Sequence, residues 1–240
     1  MKQTGELEYY IKNKAEFMKD FNKFLKLGKT VLKKHFSDSQ IEQILATSKL
    51  QYESLIYKLP YIGGHKNSGT KKLIMSAWVL AIVRSLEGEG AETEKIGRII
   101  YELFDIYIKS TPGSMNKIVG KIMLSRFGMK ILKEKYKQNS YSHFPCGWAN
   151  EYVECDGSEH DFGLDVTKCG ICTFYKNQGA EKFTRYLCLG DYLVFKAQGI
   201  GFSRTQTLGN GGTKCDFRFK KGGCSPSGWP PEALREWSRE

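Results

Sequence analysis

Apolar residues recur every three or four positions as far as Leu132 in this 240-residue chain. Beyond Tyr141 the pattern changes to alternation interrupted by glycine and cysteine. A stripe at helical period has to bury one side of a helix, and an alternating one has to bury one face of a sheet. The change of period therefore dictates an α+β fold: an N-terminal helical part packed on a C-terminal antiparallel sheet with short interspersed helices.

The helical part reads as five segments. Residues 6–34 carry Leu7, Tyr10, Ile11, Phe17, Phe21, Phe24, Leu25, Val31 and Leu32 as one amphipathic stripe, with a break expected at Gly28. Ser39 and Glu42 have capping-box spacing ahead of a second helix that stops at Pro60. A third, over about residues 71–86, is apolar almost all round and should be buried on more than one side. A fourth covers 92–109. Thr111 and Pro112 open a fifth, with Met115, Ile118, Val119, Ile122, Met123, Phe127, Ile131 and Leu132 in its stripe, and all these stripes are expected to be core.

In the C-terminal part, residues 148–154 and the alternating Phe162, Leu164 and Val166 form a hairpin turning at Asp156-Gly157. Cys169-Gly170-Ile171-Cys172 begins a short helix, and residues 179–199 hold another helical piece with Cys188 and Asp191. Residues 200–208 and 214–220 are strands joined by a glycine-rich turn. The tail from Ser225 is expected to be a loop and short helix on the surface.

The formal charge is +11, and all of it lies in residues 1–140, where 25 Lys and Arg face 14 Asp and Glu. The lysines alternate with apolar residues at helical period, which points to solvated helix faces and argues against a specific nucleic-acid site. The longest apolar run, residues 73–83, is too short to span a bilayer, and the first residues lack the apolar segment of a signal peptide. A cytoplasmic location and no membrane span are expected. Seven cysteines, all after residue 140, read as thiols or metal ligands and not as a disulfide framework.

Residues 186–219 concentrate the chemistry. Cys188, Asp191, Arg204, Thr205, Thr207, Cys215, Asp216 and Arg218 lie on short segments with strand-like flanks. A thiolate at Cys188 or Cys215 could act as a nucleophile if a cation or helix end lowers its pKa, and a carboxylate at Asp191 or Asp216 could hold a cation or activate water. Arg204 or Arg218 could hold an anion. Each also has a structural reading: the cysteines as small buried hydrophobes, the aspartates as turn caps or ion-pair partners, the threonines as ordinary strand residues. Cys169 and Cys172, taken with Cys188 and Cys215, have the composition of a zinc site without its usual two close pairs. A redox dithiol at Cys169 and Cys172 lacks the expected βαβ surroundings. No metal or other cofactor is called for. Gly63, Gly64 and Asn67, beside His65, form a loop with room for close backbone approach to a ligand.

The ordered set Leu59-Pro60-Tyr61-Ile62-Gly63-Gly64 with Asn67, Cys169-Gly170-Ile171-Cys172, Leu187-Cys188-x-x-Asp191, Arg204-Thr205-x-Thr207-Leu208 and Gly212-x-x-Cys215-Asp216-Phe217 resembles the L-2-amino-thiazoline-4-carboxylic acid hydrolase family over about residues 55–220. The resemblance implies a hydrolase acting on carbon–nitrogen bonds of a small cyclic amidine or amide, with an N-carbamoyl amino acid as product. An amidine-bearing amino acid presents one cation and one anion, matching the carboxylates and arginines above. On this reading Cys188, Asp191, Cys215 and Asp216 are catalytic, and Gly63, Gly64, Asn67, Arg204, Thr205, Thr207 and Arg218 bind substrate. Residues 1–55 are then a helical extension continuous with a hydrolase-like domain at 56–220, and 221–240 a tail. The partner is a small-molecule substrate, and a homo-oligomer is compatible with the sequence. The competing function is a non-catalytic ligand-binding or sensing module, similar more loosely to vinyl-reductase-like and transport-complex-like domains.

Overall fold

The computed structural model describes residues 4–138 and 141–237, with side chains from residue 8 onward. The Leu7 side chain and the last three residues of the tail lie outside the described residues. Helices α1 (Thr4–Lys12), α2 (Lys14–Leu32), α3 (Asp38–Ile56), α4 (Ser68–Gly88), α5 (Thr93–Lys109), α6 (Gly113–Met123) and α7 (Arg126–Gln138) precede strands β1 (Ala149–Glu154) and β2 (Phe162–Lys168). Then come α8 (Gly170–Asn177), α9 (Thr184–Cys188), α10 (Gly190–Gln198), β3 (Ile200–Ser203) and β4 (Cys215–Lys221). The architecture is α+β.

Helix α4 is the hub because it is apolar on every side. Its residues from Ala77 to Val83 are all buried, among α3, α5 and α8. Its buried serines are satisfied: Ser85 donates to the Ala81 carbonyl and receives a bond from Ser48 of α3 at 3.0 Å, which removes the penalty of an unpaired hydroxyl. The sheet order is β1-β2-β4-β3, antiparallel throughout. Alternation gives its two faces different characters. One carries Phe162, Phe202 and Phe219, of which Phe202 and Phe219 meet Phe195 of α10 at ring separations of 4.7 and 4.9 Å while Phe162 stacks on Phe219 at 4.8 Å. The other carries Asp165, Asp216 and Arg218, with Asp165 opposite Asp216.

Several local expectations are corrected. The first helical segment breaks at Asn13, where the Asn13 side chain bonds the Tyr9 carbonyl, and runs through a buried Gly28. The capping box belongs to Ser37 and Gln40, two residues earlier than expected, because Gln40 reaches back to the Ser37 amide. The fifth segment is two helices, α6 and α7. Most of its stripe is not core: Met115, Ile118, Val119, Ile122, Phe127 and Ile131 are 47% to 72% exposed, and only Met123 and Leu132 pack half-buried against the core. The reason is that α6 meets α10 through Gly120 instead, whose added Cβ would lie 2.1 Å from the Gln198 carbonyl oxygen. Strand β3 ends at Ser203 because Arg204 turns inward and Asp216 captures the next two amides. The tail is not a surface appendage, since Leu234 and Glu236 are buried.

A thiol cluster beside a buried ion-pair network

Strand β2 leads directly into the site. Lys168, at its end, donates to the carbonyls of Ser142 and Phe144 at 2.9 and 2.7 Å, which fixes the segment carrying Trp148. The next residue, Cys169, is the N-cap of α8, in extended conformation. The following Gly170 admits the close approach of that segment: a Cβ there would sit 2.1 Å from the Cys146 carbonyl oxygen and 2.9 Å from the Trp148 ring. Gly69 of α4 packs on the same indole, so Trp148 is clasped between α4 and α8. Lys72, one turn along α4, lies 5.9 Å over the indole with its side chain exposed.

Cys169 is partly exposed, and its pKa is lowered to about 7. The Cys172 thiol is the largest cause, and burial opposes it. The amides of Cys172 and Ile171 at the start of the helix also favour the anion, with Lys72 adding a cation. The sulfur makes no strict cap hydrogen bond; the amides act on it as dipoles at a helix N-terminus. Cys172 is pushed the opposite way by sharing its proton with Cys169 and by burial. Burial also raises Cys188, against the pull of Arg204, and raises Cys215 to about 12, against a bond from the Leu208 amide at 3.3 Å. Cys188 and Cys215 each sense both Cys169 and the Asp191–Arg204 pair electrostatically, so the four groups form one cluster. Among the described residues, no group of three or more histidines, cysteines or carboxylates is disposed to hold a metal ion.

Arg204 is almost fully buried and fully engaged. It donates to Asp191 Oδ2 at 2.7 Å, to Glu236 Oε1 at 2.9 Å and to the Cys188 carbonyl at 2.9 Å. Its guanidinium also lies 4.8 Å over the Tyr192 ring. Tyr192 donates to the same Glu236 oxygen at 2.7 Å. Asp191 is the open end of this network, with a side chain 36% exposed and Oδ1 without a bond to any described residue. Burial raises the Asp191 pKa and Arg204 opposes the rise.

The structure brings Cys188, Asp191, Arg204 and Cys215 together. It places Asp216 and Arg218 on the opposite sheet face. Asp216 accepts bonds from the Thr205 amide and hydroxyl and the Gln206 amide at 2.7 to 2.9 Å, holding the loop that follows Arg204. Arg218 donates to Asp165 at 2.8 Å, and Lys214 pairs with the same carboxylate. Thr207 is buried and caps the short turn at 208–210 by accepting from the Asn210 amide. Gly63 and Gly64 adopt left-handed φ of 107° and 58°, and a side chain at either would crowd Tyr141 or Tyr9. Asn67 caps α4, accepting from the Gly69 amide at 2.8 Å, and so anchors the loop beside Trp148.

Sequence reasoning missed Lys72, Trp148 and Glu236, and considered Cys169 only as a metal ligand or redox thiol. For Cys169 a signal was available: a strand followed at once by Cys and the start of a helix puts sulfur at a positive helix end. Nothing singles out Lys72 among the other lysines or Glu236 among the acids of the tail. Beside Cys172 a cavity of about 310 Å³ is lined by Thr184, Arg185, Leu208, Gly209 and Asn210, among others. The hydroxyl of Thr184 and Oδ1 of Asn210 are buried without a hydrogen-bond partner among the described residues, which is costly unless a ligand or water pairs them.

Comparison with known proteins gives one family. The model of L-2-amino-thiazoline-4-carboxylic acid hydrolase matches residues 67–219, from the cap of α4 to the middle of β4. No curated protein and no solved structure matches.

Proposed function

The chain belongs to the L-2-amino-thiazoline-4-carboxylic acid hydrolase family, and on that premise we propose that it hydrolyses a small cyclic amidine carboxylate with Cys169 as the attacking thiolate. The observation that carries this is the Cys169 sulfur at the N-terminus of α8, with its pKa lowered to about 7 where Cys188 and Cys215 are raised. A nucleophilic thiol attacks as its thiolate, and a lowered pKa raises the thiolate fraction at working pH.

In the proposed reaction, Cys169 adds to the amidine carbon of the ring. The ring carbon–sulfur bond then breaks, the released sulfur takes a proton from solvent, and water displaces the enzyme sulfur from the same carbon. One water is taken up and the carbamoyl group stays on nitrogen, so the bond broken is the ring carbon–sulfur bond and not the carbon–nitrogen bond expected from the resemblance. Breaking the ring carbon–nitrogen bond instead would leave it on sulfur. Asp191 Oδ1 takes the amidinium N–H, with Arg204 holding that carboxylate ionised and in place. Since Arg204 is engaged with Asp191 and Glu236, Lys72 pairs with the substrate carboxylate. Cys188 and Cys215 form the apolar wall. Asp216, Thr205 and Thr207 fix the loop behind Arg204, Gly63, Gly64 and Asn67 fix the loop beside Trp148, and Arg218 supports the sheet.

The test is turnover of the aminothiazoline carboxylate, followed by mass and by release of a new thiol, for Cys169→Ser, Cys188→Ser and Cys215→Ser. Loss of the nucleophile should lower kcat by at least about 10³-fold. The other two variants should stay within about ten-fold, because a wall thiol contributes packing and no bond-making. Full turnover by Cys169→Ser would overturn the assignment. A folded protein that binds the compound without ever changing its mass would favour the sensing module.

A further inference from the structure

We propose that the α6–α7 hairpin seats this protein on the surface of membranes rich in anionic lipid. Met115, Ile118, Val119 and Ile122 follow one side of α6 at helical spacing, and Phe127 and Ile131 lie at helical spacing on α7, which contacts α6; all six are 47% to 72% exposed. Large apolar side chains grouped in this way mark a surface that is covered in use, unlike singly scattered ones. The inner side of α6 is already committed: Gly120 and Leu124 are buried, and Gly120 lies so close to Gln198 of α10 that the helix cannot roll its stripe inward.

Charge identifies the occupant. Residues 113–138 hold seven Lys and Arg against the single carboxylate of Glu134, a net +6 out of the chain's +11. Lys117, Lys121, Arg126 and Lys130 form no ion pair with any described residue. A basic, apolar-striped helix pair complements anionic lipid: the stripe enters the boundary between headgroups and acyl chains while the long cationic side chains reach back to the phosphates. A second copy would bring +6 against +6. Nucleic acid would use the cations but leave the isoleucines in water. At 11 and 13 residues the helices are too short to cross a bilayer and would lie in its plane.

Cosedimentation of the full chain with vesicles of phosphatidylcholine, with and without phosphatidylserine, tests this. Binding should require phosphatidylserine and weaken with salt. Each removed cation should cost about five-fold in affinity, so Lys117→Gln with Lys121→Gln should cost about 25-fold. Ile118→Asp with Ile122→Asp, both exposed, should abolish binding while circular dichroism stays unchanged. Absence of sedimentation with anionic vesicles, or equal binding to pure phosphatidylcholine, would overturn the proposal. So would a concentration-dependent dimer that the aspartate pair dissolves, or duplex DNA binding that it leaves intact.

Discussion

Helices α5 and α6 carry the same stripe in different settings. Ile96, Ile99, Ile100 and Leu103 on α5 are at most 1% exposed, while Met115, Ile118, Val119 and Ile122 on α6, at identical spacing, are 47% to 59% exposed. Periodicity establishes that a helix has an apolar side. It says nothing about what lies against that side. On α5 the covering elements are α2, α4, α9 and α10. On α6, contact with α10 is made through the glycine-bearing side, and the larger residues are left facing out.

The sharpest way to break this comparison is to put a charge in each stripe. Ile99→Asp should leave too little folded protein to measure, because an unpaired carboxylate in an apolar core costs several kcal/mol. Ile118→Asp should change stability by no more than about 0.5 kcal/mol. The folded yield of Ile99→Asp and urea denaturation of Ile118→Asp decide it, and a large loss for Ile118→Asp would mean that α6 is core after all.

The tail reverses the case of α6, since a polar-looking segment turns out to be buried. Glu236→Ala leaves the inner side of Arg204 unpaired and should cost about 3–5 kcal/mol in chemical denaturation. A loss below about 1 kcal/mol would place the tail on the surface, where ion pairs contribute little. Next in size, Leu103→Ala should cost about 2–5 kcal/mol while Val119→Ala stays near zero.

The smallest effect concerns the cysteines, another set of alike residues in unlike settings. With the Cys169 pKa lowered to about 7, its thiolate fraction falls as pH drops below that value. kcat/KM should therefore rise through about pH 7 and level off above it, with half the limiting rate near the midpoint. A rise centred near the ordinary thiol range would point to another cysteine, since Cys188 and Cys215 are raised.

Much of the site was legible as residue types and little of it as geometry. Cys188, Asp191, Arg204 and Cys215 stood out because thiols, carboxylates and a guanidinium recur on short segments, and the fold gathers them. Arg204 nevertheless makes its bonds within the protein, because Glu236, 32 residues further along, reaches the same place. Asp216 and Arg218, neighbours of Cys215, lie across the sheet because side chains alternate along a strand.

The sequence by itself determined the α+β division, the helix-to-sheet change after Tyr141 and the short helix after Cys169, because hydrophobic period and cap residues act over a few positions. Only the tertiary structure decided which stripe meets protein and which meets solvent, and which cysteine is easily ionised. It also decided which carboxylate closes on Arg204. Burial and electrostatics depend on neighbours from distant parts of the chain: Lys72 acting on Cys169, Gln198 against Gly120 and Glu236 on Arg204 are all long-range contacts that no local pattern encodes.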